Sequence, residues 1–224
     1  MTVSTEPGAA APAAAPVNGN EPAANRRHVH VLWLAVILAF GLVAGGLGGY
    51  LLAQPQNPGD TSAEAGFLRD MSTHHAQAVE MSMIAHANSD NSAIVTLAGD
   101  IALTQHQQIG YMQAWLRTWG LSPTGTEATM AWMPNSAGAV VNGLMPGMAT
   151  PDQMAKLRTA KGTELDIQYL TLMRQHHLGG IHMAQEIVSM SKNTDVTWLA
   201  QTMVQGQQAE LVVIDEMLKQ LEAK

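Results

Sequence analysis

From Val31 to Ala53 the chain runs 23 residues without a charged side chain, and beyond residue 60 the pattern changes. There apolar residues recur three and four apart, the period of a helix with one buried face. Thr61-x-x-Glu64 reads as a capping box opening a helix to about Ala87, and Asn88–Asn91 as a turn. Ser92 to Trp119 reads as a second long helix, stopped by Gly120 with Pro123 beyond. Thr150-Pro151-Asp152-Gln153 has the cap, first-turn proline and third-position Gln of a short helix, which Gly162 interrupts. Thr163-x-x-Asp166 then opens a helix to about Met190, and after a turn at Ser191–Thr194 the last helix runs from about Asp195 to Leu221. Two hairpins of equal spacing predict an all-α four-helix bundle over residues 61–221. Its halves are 61–119 and 150–221, joined by a Gly-, Pro- and Met-rich connection, 120–149.

The uncharged run is long enough, as a helix, to cross the roughly 30 Å hydrocarbon core of a membrane. Trp33 and Tyr50 stand near its ends, where amphipathic rings favour the interface, and Arg26-Arg27 precede it. By the positive-inside rule the expectation is a disordered cytoplasmic tail at 1–30, rich in Ala, Pro and Gly. A single transmembrane anchor at 31–53, a linker at 54–60 and an extracytoplasmic domain then follow. A cleaved signal peptide ending near Ala53 is the competing reading, although the run exceeds the usual length of such segments. Both place the bundle outside the cytoplasm.

The halves are copies. Phe67–Leu116 and Tyr169–Leu218 align without a gap at a shift of 102 residues, and eleven of the fifty positions are identical. The identities include Met71/Met173, His74/His176, His75/His177, Met81/Met183 and Gln105/Gln207. On a helix each Met-His-His-Met set shares a face, so two hairpins packed about a pseudo-twofold axis could bring four imidazoles and four thioethers together. Borderline imidazole and soft thioether donors suit Cu(I) and, by analogy, Ag(I), with other transition metals as alternatives. Methionine at helical spacing also simply fills cores. Four buried imidazoles, however, cost stability unless each finds a partner, which favours a metal role for the His-His pairs.

Weaker candidates surround this set. His86 lies roughly 16 Å further along the first helix at about 1.5 Å per residue. The repeat matches His106 with Gln208 and His182 with Glu80, so symmetry supports neither as a ligand. Met130, Met133, Met145, Met148 and Met154 crowd the connection and the helix after it. They read either as mobile soft ligands, Met145 and Met148 being the candidates taken from them, or as the apolar underside of a loop folded over the bundle.

Composition narrows the chemistry. With no Cys among 224 residues, thiolate sites, disulfides and cysteine nucleophiles are excluded. The net charge is −7 without a basic stripe, which argues against nucleic acid. No Glu-x-x-His motif is present, as a ferritin-like di-metal oxidase would need, and no Ser-His-Asp set or phosphate loop stands out.

Phe67-Leu68, Met71, His74-His75, Ala78 and Met81, followed by Gln105, Ile109, Met112 and Trp115-Leu116, resemble the bacterial family known as domain of unknown function 305. The second copy repeats the pattern with Leu170, Met173, His176-His177 and Met183, then Gln207, Glu210, Leu211 and Leu218. The first copy departs from the family pattern at Gln108, where Glu is usual, and the second at Gly180, where Ala is usual, and at Ile214 and Met217. The resemblance implies a ferritin-like fold over about 61–221 and extracytoplasmic copper binding in some members. The resulting expectation is a membrane-anchored Cu(I) protein for sequestration, resistance or delivery, partnered by a second copy or a copper-accepting membrane protein. A metal-free, partner-docking bundle is the alternative.

Overall fold

The computed structural model describes residues 23–53, 57–134, 136 and 138–223, so most of the expected tail and part of the linker lie outside it. The chain divides into two units, Met1–Gln56 and Asn57–Lys224. The first contains helix α1, Ala23–Ala53, which begins ahead of the uncharged run. Its Val29–Leu51 stretch is long and apolar enough to cross a membrane, and its large side chains are exposed, including Trp33 and Tyr50.

The second unit is all-helical among its described residues apart from an isolated bridge between Val141 and Leu144. Its helices are α2 (Ala63–Asn88), α3 (Ser92–Thr118), α4 (Pro151–Thr159), α5 (Gly162–Met190) and α6 (Thr194–Glu222). The caps refine the expected boundaries. Ser62, not Thr61, caps α2 by accepting from the Ala65 amide, and Glu64 instead accepts from Ser191 Oγ at 2.7 Å. Thr150 and Gln153 form the anticipated capping box of α4. Gly162 opens α5 rather than interrupting a helix, and its φ of +56° suits glycine there. Asp166 makes no cap because it accepts from Ser89 Oγ at 2.6 Å. Asn91 and Asn193 cap α3 and α6 through their side-chain oxygens.

The Ser–acid bonds show how the halves are related. Ser89 to Asp166 and Ser191 to Glu64 are the same contact read from either repeat, since each residue has its counterpart 102 positions on. They tie opposite ends of an antiparallel α2–α5 pair, which forms the centre of the bundle, while α3 packs on α2 and α6 on α5. Apolar side chains then separate into two cores. One holds Met71, Met112, Met183 and Met203, and the other holds Met81, Ile101, Met173 and Tyr169. His74-His75 and His176-His177 fall between them on both central helices.

The connection is folded back over the bundle, as one of the two sequence readings anticipated. Met130, Met133 and Met145 are buried in the first core and Met154 in the second. Asp70 anchors the strap by accepting from the Met130 amide at 2.7 Å and from Trp132 Nε1 at 2.9 Å. Arg69 adds bonds to the Ser122 carbonyl and to Asp60. Further on, Gln77 clasps both the amide and the carbonyl of Ala149. Backbone approaches backbone here: a Cβ on Gly179 would lie 1.9 Å from the Pro146 oxygen, and one on Gly147 would lie 2.3 Å from the Gln175 oxygen. Only glycine permits this seat for the Met145–Met148 segment.

Candidate metal centre

Helical phasing turns both residues of each His-His pair inward, because α2 and α5 are enclosed by α3, α6 and the strap. All four imidazoles are fully buried. The pairs meet: the His74 and His176 rings lie with centroids 3.8 Å apart, tilted by 39°. Each ring is oriented through Nε2. His74 donates to the Pro146 carbonyl at 3.0 Å, and His176 donates to the His74 carbonyl at 2.9 Å. His75 donates to Gln108 Oε1 at 2.7 Å, and His177 to Glu210 Oε2 at 2.6 Å. With the proton on Nε2, a neutral imidazole keeps its lone pair on Nδ1.

None of the four Nδ1 atoms has a partner. Both amide atoms of Gln105 and Oε1 of Gln207 share that condition. These seven are the buried side-chain polar atoms without a hydrogen bond among the described residues. Every one belongs to a pair identical in the two repeats, His74/His176, His75/His177 or Gln105/Gln207. An unmatched buried polar group costs on the order of 1–3 kcal/mol, so such a concentration in one layer calls for a ligand-shaped explanation.

Burial also fixes the charge state. Desolvation lowers His74 to about 4, partly opposed by its bond to Pro146. Desolvation and the neighbouring His74 lower His75 to about 3. His176 is driven well below the usual imidazole range, first by burial and then by His74, His177 and His75. These rings are neutral at pH 7, the form in which imidazole binds metals.

The donor chemistry therefore fits a soft or borderline cation: imidazole lone pairs inside, with Nε2–H groups held by oxygen acceptors as the outer shell of a metal site requires. Among the described residues, no three His, Asp or Glu side chains are already arranged as a coordination set. The structure thus supplies clustered donors rather than a finished cage.

Of the other expected ligands, Met71, Met81, Met173 and Met183 are fully buried, Met71 and Met183 in one core and Met81 and Met173 in the other. Met145 is buried and Met148 half-buried on the strap that carries Pro146 to His74. His86, His106 and His182 are exposed, and His86 bonds the Val95 carbonyl through Nδ1 at 2.9 Å. None of these three joins the buried cluster, because each sits on the solvent side of its helix.

Gln105 and Gln207 were visible as repeat identities but carried no ligand signal. Gln108 and Glu210 were visible only as a mismatch. Gly180, the departure from alanine, has a local reason: a Cβ there would lie 2.8 Å from Gln207 Oε1 and 3.3 Å from His74 Cε1. The Pro146 carbonyl left no trace in the sequence pattern.

Comparisons with known proteins agree with this architecture. No curated protein matches the chain. The crystal structure of a DUF305 protein from Streptomyces coelicolor is 42% identical, with TM-score 0.66, covering 73% of this chain and 96% of that one. A DUF305 fragment from Deinococcus radiodurans is 29% identical, with TM-score 0.61, covering 73% and 99%. CopM in its Cu(I)-bound form shares the fold at 19% identity and TM-score 0.55, over 71% of this chain and 96% of that one. The family described as Domain of unknown function (DUF305) matches residues 64–218, both repeats included, and the chain belongs to that family.

Proposed function

We propose that this protein binds Cu(I) or Ag(I) in its buried histidine layer and serves outside the cytoplasm to sequester copper or pass it on. The observation that carries the reading is the set of seven unpartnered polar atoms, all on residues shared by the two repeats. Nδ1 of His74, His75, His176 and His177 would face the metal, and Nε2 of each is already engaged with an oxygen. The flanking Met71, Met81, Met173 and Met183 supply soft sulfur from the two cores. Structures of CopM in Cu(I)-, Cu(II)- and Ag-bound forms have the same fold, which supports the choice of metal. Helix α1 serves as the anchor on this reading, with the bundle on the outer face. A second copy or a copper-accepting membrane protein would be the partner.

The test is Cu(I) competition against a chelating dye, using the bundle in its full chain. Replacing His74, His75, His176 and His177 together with Ala abolishes stoichiometric high-affinity uptake on this account. Full retention by a folded quadruple variant would sink it. That no three His, Asp or Glu side chains among the described residues are already arranged as a coordination set leaves a second reading, a metal-free bundle that docks a membrane partner. That reading predicts wild-type protein that takes up no Cu(I) and purifies with a fixed partner.

A further inference from the structure

The two ends of the histidine layer have different surroundings. His75 reaches Gln108 on α3, and His177 reaches Glu210 at the repeat-equivalent place on α6. Outward from Gln108 stand three aromatic residues. Tyr111 stacks on Trp115 with centroids 6.1 Å apart and meets Trp198 edge-on at 6.3 Å. Shifted by 102 positions, these three places are held by Val213, Met217 and Thr96.

Where these less bulky, non-aromatic residues stand, there is space. Two adjoining recesses of about 500 Å3 each run between the start of α3 and the end of α6, sharing Ala93, Val213 and Met217. Glu210 lines one of them, so the carboxylate that holds His177 also faces this opening. Asp100 lines it too, where the other repeat has Thr202, and Glu216 lines the adjoining recess. Neither recess is lined by Lys or Arg. The strap lies against the layer elsewhere, with Met145 and Ala149 buried and the Pro146 oxygen close to Gly179 and bonded to His74.

From this asymmetry we infer that the α3–α6 recess beside Glu210 is the port through which a soft monovalent cation reaches and leaves the histidine layer, in preference to the equivalent place beside Gln108, where Tyr111, Trp115 and Trp198 stand. The inference rests on the metal reading above. Several differences between the copies point the same way: non-aromatic residues at the mouth, a carboxylate at the rim and a carboxylate against the histidine. A cleft carrying one sign of charge concentrates counter-ions and raises their on-rate. Glu210 is then both the outer-shell partner of His177 and the last group a cation passes.

The experiment measures the kinetics of Ag(I) and Cu(I) loading, and of release to a chelating dye, for wild type and for V213Y/M217W. That variant restores the other repeat's residues at positions outside the imidazole and thioether set. The expected result is loading and release both slowed by roughly tenfold or more, the low end of the steering and access range, with stoichiometry and equilibrium affinity kept. A folded V213Y/M217W that loads at the wild-type rate overturns the port. Asp100→Asn is a milder second variant: it slows loading at low ionic strength, and the difference shrinks as salt is raised. An Asp100→Asn rate equal to wild type at low salt also counts against the port. Wild-type protein that takes up no metal defeats the metal reading itself, whereas normal uptake with unchanged variant rates defeats the port alone.

Discussion

Around His75 and around His177 the same helical geometry carries different chemistry. Both rings are fully buried, and both present Nε2 to a side-chain oxygen on the next helix, yet one partner is the amide of Gln108 and the other the carboxylate of Glu210. Beyond Gln108 stand the rings of Tyr111, Trp115 and Trp198, and beyond Glu210 lies a recess lined by their smaller counterparts. Other contacts kept their symmetry, as the Ser89–Asp166 and Ser191–Glu64 bonds show. The difference teaches that the duplicated scaffold fixes where the donors sit, while the residues around its margins decide which donor meets solvent and charge.

The largest expected effect comes from the strap, which has no counterpart in the repeat. Gly179→Ala would place a Cβ 1.9 Å from the Pro146 oxygen, a backbone group that cannot turn aside. Either the strap leaves its seat or the bundle loses about 3 kcal/mol or more, as severe overpacking does. Denaturant unfolding reads the stability, and proteolysis within residues 136–148 reads the release. Unchanged behaviour in both would show that the seat is not needed.

Exchanging the histidine partners addresses the comparison itself. Glu210→Gln should weaken Cu(I) affinity by roughly tenfold or more, the usual cost of losing an outer-shell carboxylate. Gln108→Glu should strengthen it in the reciprocal direction, and the double exchange should return it close to wild type. Equal responses of the two halves would contradict their inequivalence.

Acid sharpens the shared part of the layer. The folded-state values of His74 and His75 are depressed to about 4 and about 3, below the unfolded imidazole value of 6.5. Between those limits the unfolded chain binds more protons than the native one, so apo-protein stability is complete above about pH 6.5 and falls as pH drops toward 4. The slope approaches roughly 1.4 kcal/mol per pH unit for each such group. Urea midpoints across pH 7 to 4 check this, and Cu(I) should protect over the same window. A flat profile in a folded protein would mean that the rings are not buried as neutral imidazoles.

The smallest effect tests the symmetry. Ser89→Ala and Ser191→Ala each remove one hydroxyl bond to a carboxylate, 2.6 Å and 2.7 Å long, and should cost about 1–2 kcal/mol apiece. Because the contacts are equivalent, the two costs should agree within experimental error; a clear inequality would show that the twofold relation does not extend to the helix ends.

Much of this was legible in the chain. Period, capping residues and the 102-residue shift were enough for the hairpins and for the inward face of the His-His pairs, because a helix of known phase leaves little choice of face; the approach of His74 to His176 followed only on the assumption of twofold packing. Boundaries slipped where acids expected to cap had distant partners, as Glu64 and Asp166 do. The exposed His86, His106 and His182 could not be separated from the cluster by residue type, only by helix face and depth. The Pro146 carbonyl is a backbone group delivered by a long connection, and no local pattern announces such a contact. The recess depended on three non-aromatic residues, Val213, Met217 and Thr96, whose meaning emerges only beside the aromatic residues of the other copy.

The most direct test of the central claim is long-range 1H–15N NMR of the histidine rings as Ag(I) is added to the protein. The account predicts that Nδ1 of His74, His75, His176 and His177 responds to the metal while their Nε2–H protons persist. Responses confined to His86, His106 and His182, or loss of the buried Nε2–H protons in place of any Nδ1 change, would contradict it.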